Sequence, residues 1–394
     1  MKIKSIRATP VNIPLEAPYL WSVGTYPGTT KVIVEVHTDD ELVGIGEAPS
    51  LDCEPIINKF MAEQLKGLDP FDLAACEERC VPDTRVLYLT EGNLELKAFG
   101  GIEMALWDLK GKAMQMPLYK LLGGAVRKAI PFTEYYSYRL PVGTVGGEDS
   151  PAKVAAYCAL MRERHGSTYF EGKCSTGNPA TDLQIVKEVR AAVGADAMLR
   201  LDGNKAWSLS TARRLLADLE PYNIRNFEDP VATYFEMEKL RRHSRIPFST
   251  HDPDLKLATR LGVPDTFVMN LTVLGGIART LKFIATCEEM GIDFWCYSGE
   301  TGIGSAAYLH VIAATRHIRE PSQSLFRFQT DDVIEEGPFK PQHNIIPVPE
   351  GPGLGITLSP TALDRCHERF LREGEYNQYY NPQQPGVFAR LPLD

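Results

Sequence analysis

The sequence has no long apolar run, no cluster of cations and no paired-cysteine motif, and each absence removes a class of protein. No stretch approaches the roughly 20 consecutive apolar residues that a membrane-crossing helix needs, so no membrane partner is expected. The opening Met1-Lys2-Ile3-Lys4-Ser5-Ile6-Arg7 lacks the apolar core and small-residue cleavage site of a secretory leader, and the expected location is cytoplasmic. Lys and Arg number 42 against 51 Asp and Glu, a formal charge of −9 with no block of like sign. A nucleic-acid partner, whose phosphates call for clustered cations, is therefore not expected. The eight cysteines include no C-x-x-C pair. Cys76 and Cys80 stand at i and i+4 and read as buried thiols on one helix face rather than a zinc site or a disulfide.

What is present fits a folded, enzyme-sized chain. At 394 residues, 44% apolar and 24% charged, it has length for two or three domains. Residues 2–10 and 30–37 alternate like strands, with a hairpin turn at Asp39-Asp40. Between them, residues 17–29 hold Pro18, Gly24, Pro27 and Gly28 together with Tyr19, Trp21 and Tyr26. That segment is too rich in breakers for a helix or strand, yet unusually aromatic for a linker. Helical periodicity runs over 94–114, where Ile102, Ala105, Leu106 and Leu109 share one face. From about residue 130 short apolar runs alternate with amphipathic helical stretches. Strands are predicted at 130–136, 168–173, 197–202, 224–228, 246–251, 266–270, 293–297 and 325–329. Strand alternating with helix implies parallel βαβ units, and about eight of them point to an α/β barrel of the TIM kind. A doubly wound nucleotide fold would open on a glycine-rich turn, whereas the one glycine-dense run, Gly299 to Gly304, comes far too late.

In a parallel barrel the carboxyl ends of the strands share one rim, where chemistry is assembled. Lys173, Asp202 and Glu228 end three successive predicted strands, and His251-Asp252 follows at the next. Two carboxylates ending neighbouring apolar strands repel each other and are costly to bury unpaired. A divalent cation relieves both costs, and oxygen donors with room for water and substrate suit Mg²⁺ better than zinc. Salt bridges or helix caps would also account for these acids.

Five stretches carry a resemblance that covers nearly the whole chain. They are Gly100-Gly101-Ile102-Glu103-Met104-Ala105-Leu106-Trp107-Asp108-Leu109-Lys110-Gly111-Lys112 with Met116-Pro117-Leu118 to Gly124, Leu201-Asp202-Gly203-Asn204 with Phe227-Glu228-Asp229-Pro230, and Gly351-Pro352-Gly353-Leu354-Gly355. On these the chain resembles the enolase superfamily, mandelate racemase/muconate lactonizing branch. The resemblance implies a (β/α)7β modified TIM barrel at 129–343 under an α+β capping domain built from 1–128 and completed by 344–394. It implies Asp202 and Glu228 as Mg²⁺ ligands, with the third ending the fifth barrel strand. Most members place an acid there, which points to Asp252. Thr250-His251 aligns with the Thr-Asn pair of glucarate dehydratases, which tilts the choice to His251.

The family removes a proton α to a carboxylate, with a metal stabilising the charge that develops and a Lys or His as base. Lys173 matches the second lysine of the family's Lys-x-Lys pair, and burial beside a dication would lower its pKa toward the working range. Glu171 stands where the first lysine belongs, Asn270 replaces the usual acid, and no histidine appears on the seventh strand, so the His-Asp dyad is absent. Tyr297 and Glu300 remain as candidate acids. Trp21, Tyr26, Tyr136, Asn204 and Asn270 are the candidate substrate contacts, with residues 51–54 on a second loop. The tyrosines at 135, 136 and 138 resemble the first barrel strand of glucarate dehydratases. The expected function is Mg²⁺-dependent dehydration of an acid sugar, and the expected partner a small carboxylate in a homo-oligomeric enzyme. A racemase, epimerase or cycloisomerase using Lys173 alone is the alternative, and a metal-binding pseudoenzyme is a further one.

Overall fold

A computed structural model of the chain describes residues 1–82, 94–174, 176–297, 301–381, 384 and 386–390. It opens on an antiparallel sheet of Ile3–Trp21 (β1), Gly24–Thr38 (β2) and Val43–Ala48 (β3), in the order β1-β2-β3. The Asp39-Asp40 turn joins β2 to β3 as expected. Residues 17–29, in contrast, are strand: β1 and β2 run on to their shared tip, pairing Tyr19 with Tyr26 and Trp21 with Gly24. Pro18 sits on the edge strand β1, and Pro27 sits on β2 before the residues that pair with β3, so neither missing N–H costs a bond to a second neighbour. A register shift between Pro14 and Tyr19 takes up Pro18. The helix Leu94–Ala113 buries Ile102, Ala105, Leu106 and Leu109 against this sheet. All eight cysteines are buried thiols.

Ala129–Pro131 (β4) precedes a parallel sheet made of Glu134–Tyr136 (β5), Tyr169–Lys173 (β6), Met198–Asp202 (β7), Ile224–Glu228 (β8), Phe248–Thr250 (β9), Thr266–Met269 (β10) and Asp293–Cys296 (β11). The sheet order is β5 through β11 in sequence. Each linking helix buries its apolar stripe on the strands, as Val154, Tyr157, Cys158 and Met161 do in Pro151–His165. Side-chain caps set the starts: Asn178 and Ser208 accept from N–H groups of the first turn, and Thr233 with Glu236 forms a capping box. This architecture fits a modified TIM barrel with a separate N-terminal capping domain.

Two expected strands differ. The run 130–136 is split, because β4 pairs antiparallel with Ile345–Pro347 (β12) while only β5 joins the parallel sheet. Residues 325–329 form turns rather than an eighth strand, with Leu325, Phe326 and Phe328 buried; a short apolar run does not by itself separate strand from buried turn. Ser322 and Gln323 lie between the two edges of the seven-stranded sheet. Gln323 N donates to Cys296 O of β11, while Ser322 exchanges bonds with Pro131 O and Thr133 N beside β5. After β12, the helix Pro360–Glu373 lies along β1, where Arg369 donates to Asn12 O at 2.9 Å. Among the described residues no helix is long and apolar enough to cross a membrane.

Two buried acids fasten the N-terminal elements to the parallel sheet's helices. Glu103 accepts from the N–H groups of Ile277 and Ala278 at the start of the helix Ile277–Met290, at 2.7 and 3.0 Å, and from Trp107 Nε1. Glu47 of β3 accepts from Thr301 N and Oγ1, just before the helix Gly302–Ala314. Helix N-termini present unpaired N–H groups and a positive dipole end, so a carboxylate from another element satisfies both. Glu103→Ala is expected to lower the unfolding free energy by about 2–4 kcal/mol in urea titrations, since it orphans one buried and two half-buried donors. Burial raises the Glu103 carboxyl to about 7, with the N–H donors of Ala278 and Ile277 opposing it. The folded state thus keeps a proton that the unfolded chain releases near 4.5, and the group's contribution falls as pH rises from about 4.5 to 7. The loss on Glu103→Ala should be larger at pH 5 than at pH 8.

Candidate active site

Strand register levels the key residues at one rim. Lys173 is opposite Asp202 across β6 and β7, and Asp202 is opposite Glu228 across β7 and β8. His251 follows directly on β9. Lys173 Nζ pairs with Asp202 Oδ2, and both side chains are almost wholly buried. His251 Nε2 meets Glu228 Oε1, and donor atoms of Asp202, Glu228 and His251 all lie within 4.8 Å of one another. The His251 Nδ1 edge lies 3.0 Å from Val268 O, a contact that aims Nε2 into the cluster.

These three residues fit a divalent cation on two grounds. Asn204 Oδ1 is a buried oxygen that accepts no hydrogen bond beside Asp202, and Glu228 Oε1 has the His251 ring as its partner, an imidazole that can ligate a metal in its neutral form. The donor set, two carboxylates and one imidazole with its far nitrogen held, is a recurring one for divalent metals. Asp252, the other candidate, points away: it is half exposed and pairs with Lys205 at 2.6 Å. Past the end of β9 the chain bends, and His251 is the residue brought against Glu228.

The charges are strongly coupled. Burial and the neighbouring Glu228 raise the Asp202 carboxyl, against the pull of Lys173. Burial also acts on Glu228, but His251 and Lys173 outweigh it and hold that carboxyl below its ordinary value. For His251 burial works against the charged ring, yet Glu228 lifts it to about 10. Burial lowers Lys173 as expected from sequence, but Asp202 more than offsets it, so the chain's own charges hold Nζ protonated.

Beneath the rim lies a buried polar network that sequence reasoning missed. Gln323 Nε2 donates to both Glu228 Oε2 and Glu171 Oε1. Glu171 also accepts from Thr133 Oγ1 at 3.1 Å and faces Arg200 Nη1 at 3.7 Å. Arg200 stacks on Trp295 at 4.0 Å. The position of the missing first lysine is thus filled by an acid that anchors Gln323 and, through it, Glu228.

Lys173, Asp202 and His251 open on a cavity of about 660 Å³. Trp21, Tyr26, Asn204, Asn270 and Tyr297 line it, Tyr297 lying edge-on to His251 with ring centres 4.7 Å apart. Tyr136 does not. It turns away beside Cys158 and Cys174, and its neighbour Tyr135 lines the cavity, with Lys173 Nζ 5.5 Å from the ring centre. From the second loop Pro49 and Ser50 reach the cavity, whereas Leu51, Asp52 and Glu54 line a different groove. Glu300 lies outside the described residues. Residues Glu375 to Tyr379 and Phe388 also line the cavity, and no local pattern marked them.

Comparison with known proteins agrees with this layout. Residues 3–123 match the model of the mandelate racemase/muconate lactonizing enzyme N-terminal domain, and residues 153–362 match the enolase C-terminal domain-like model. The chain is 28% identical to a probable glucarate dehydratase of Streptomyces coelicolor over 94% of its own length and 92% of the relative's. It is 29% identical to a chloromuconate cycloisomerase of Pseudomonas putida, covering 95% of this chain and 100% of that one. The crystal structure of an enolase from Thermobispora bispora, complexed with magnesium and formate, superposes with a TM-score of 0.89 at 26% identity and covers 99% of both chains. The strand-end acids, the seven-stranded sheet and these matches agree: the chain belongs to the enolase superfamily, in its mandelate racemase/muconate lactonizing branch.

Proposed function

We propose that this protein removes the proton α to a carboxylate, with Lys173 as base and Mg²⁺ held by Asp202, Glu228 and His251, and that its reaction is the dehydration of an acid sugar. The observation that carries the reading is the level placement of Lys173 beside the three-residue cluster, opening on one cavity. A cation bound there supplies positive charge against the negative charge that builds on the substrate carboxylate as the α-proton leaves. Burial of Nζ favours the neutral amine that can accept that proton, and withdrawing the Asp202 charge from Nζ frees it to do so. Lys173 takes the α-proton, the β-hydroxyl departs as water with a proton from Tyr297, and the enol product becomes a 2-keto-3-deoxy acid. Tyr135 and the aromatic pair Tyr19 and Tyr26, stacked at 5.1 Å, keep bulk water from the reacting carbon. The cap in this reading is made by 1–128 and 344–394 over a barrel at 129–343, which the lie of the helix Pro360–Glu373 along β1 supports.

Aldonic and aldaric acids incubated with the Mg²⁺-loaded protein in D₂O should yield 2-keto-3-deoxy products. No α-proton exchange with any acid, with the metal verified in place, would overturn the reading. The cycloisomerase relative and the absence of a histidine on β11 favour one alternative, a one-base epimerase or cycloisomerase. Deuterium at the α-carbon without loss of water would select it.

A further inference from the structure

We propose that the C-terminal segment 375–379 is a fixed wall of the substrate cavity, reading the end of an open-chain hydroxy acid remote from Lys173. This rests on the reading of Lys173 and its acidic cluster as the proton-abstracting centre. The segment is built in rather than laid on. Asn12 and Thr30 are opposite each other on β1 and β2, both buried, with Thr30 Oγ1 donating to Asn12 Oδ1 at 2.6 Å. A buried polar pair in an apolar sheet is costly unless its remaining capacity is used. Here the tail uses it: Asn12 Nδ2 donates to Gly374 O at 2.8 Å, and Thr30 Oγ1 accepts from Tyr376 N at 3.0 Å.

The hairpin tip is shaped to receive the same segment. Trp21 Nε1 donates to Gln378 O at 2.9 Å, and the Trp21 and Tyr379 rings lie 5.6 Å apart. At Gly24, whose φ is 157°, a Cβ would sit 2.2 Å from Gln378 O. At Gly28 it would sit 2.5 Å from both Ile13 O and the Tyr376 ring. Gly24 and Trp21 are thus matched to the close passage of the tail over the sheet, and Gly28 is hemmed in by the tail and by β1 together. The wall so formed offers Tyr376 and Tyr379 beside the amides of Asn377 and Gln378 and the carboxyl of Glu375, lining the same cavity as Lys173 and Asp202. Rings that bury C–H faces, alternating with amide donors and acceptors, suit a hydroxylated carbon chain better than an alkyl or a planar aromatic one.

The test uses the full-length, Mg²⁺-loaded protein and calorimetry with three probes of increasing length: formate, tartrate and glucarate. Formate reaches only the metal end, so it reports on the proton-abstracting centre alone. Tyr376→Ala and Tyr379→Ala should each weaken tartrate or glucarate by about tenfold and leave formate and Mg²⁺ affinities within twofold. Tyr376→Phe should bind like the unaltered chain. Asn12→Leu, which touches no cavity surface and releases Gly374, should reproduce the selective loss, so a ring variant that misfolds does not decide the matter. Equal losses for formate and glucarate, or no loss for glucarate, would overturn the proposal. A protein that binds formate and Mg²⁺ but prefers neither longer acid would also overturn it while leaving the centre intact. Failure to bind Mg²⁺ or formate at all would instead remove the proton-abstraction reading, and this proposal with it.

Discussion

Replacing Lys173 with alanine is expected to lower the rate of α-proton exchange about a thousandfold or more, the scale of a positioned general base. The same change should leave Mg²⁺ binding intact or tighten it a few-fold. Nζ is the partner of Asp202 Oδ2, so the lysine competes with any cation for that oxygen, and its removal frees a ligand. Lys173→Arg separates the two roles. A guanidinium can keep the ion pair with Asp202, but it stays protonated and cannot accept a proton, so exchange should be lost as fully as in Lys173→Ala. Deuterium incorporation by NMR gives the rate, and calorimetry gives the metal affinity. Exchange that survives within tenfold of the unaltered protein in both variants would move the base elsewhere, with His251 the next group on the rim.

The parts of the site that could be seen in sequence were those where one residue breaks a strong local pattern. Lys173, Asp202 and Glu228 each end an apolar strand, one βα repeat apart, and the parallel register puts them side by side. Where two neighbours were equally polar, the pattern had no phase to offer. Tyr135 and Tyr136 are both buried, one toward the cavity and one away from it, because a barrel strand is covered on both faces. Gln323 was invisible for a different reason. It sits in an irregular segment beside β11, held by hydrogen bonds to Cys296 and Glu228 rather than by any periodicity. The tail residues 375–379 are brought to the cavity by Asn12 and Thr30, contacts that span almost the whole chain. The strand character of 17–29 was hidden because proline and glycine usually mark turns; here an edge position and a packed-over surface accommodate them.

Asp252 and His251 make opposite predictions when each is changed alone. His251→Ala should weaken divalent-metal binding by about a hundredfold, because it deletes one of three protein donors whose geometry Val268 O already sets. Asp252→Asn should change it less than twofold, since that carboxylate is half exposed and engaged with Lys205. The identity of the third donor also bears on which metal is held. Carboxylates alone suit Mg²⁺, while an imidazole favours transition metals, so Mn²⁺ should bind about tenfold more tightly than Mg²⁺. His251→Asn replaces that nitrogen with an amide oxygen and should shrink the difference by weakening Mn²⁺ more than Mg²⁺. Competition calorimetry on the three variants decides the matter. If Asp252→Asn lost the metal and His251→Ala kept it, the cluster seen at the rim would be a buried ion-pair network, and the cation would have to lie on the Lys205 side of the strand end.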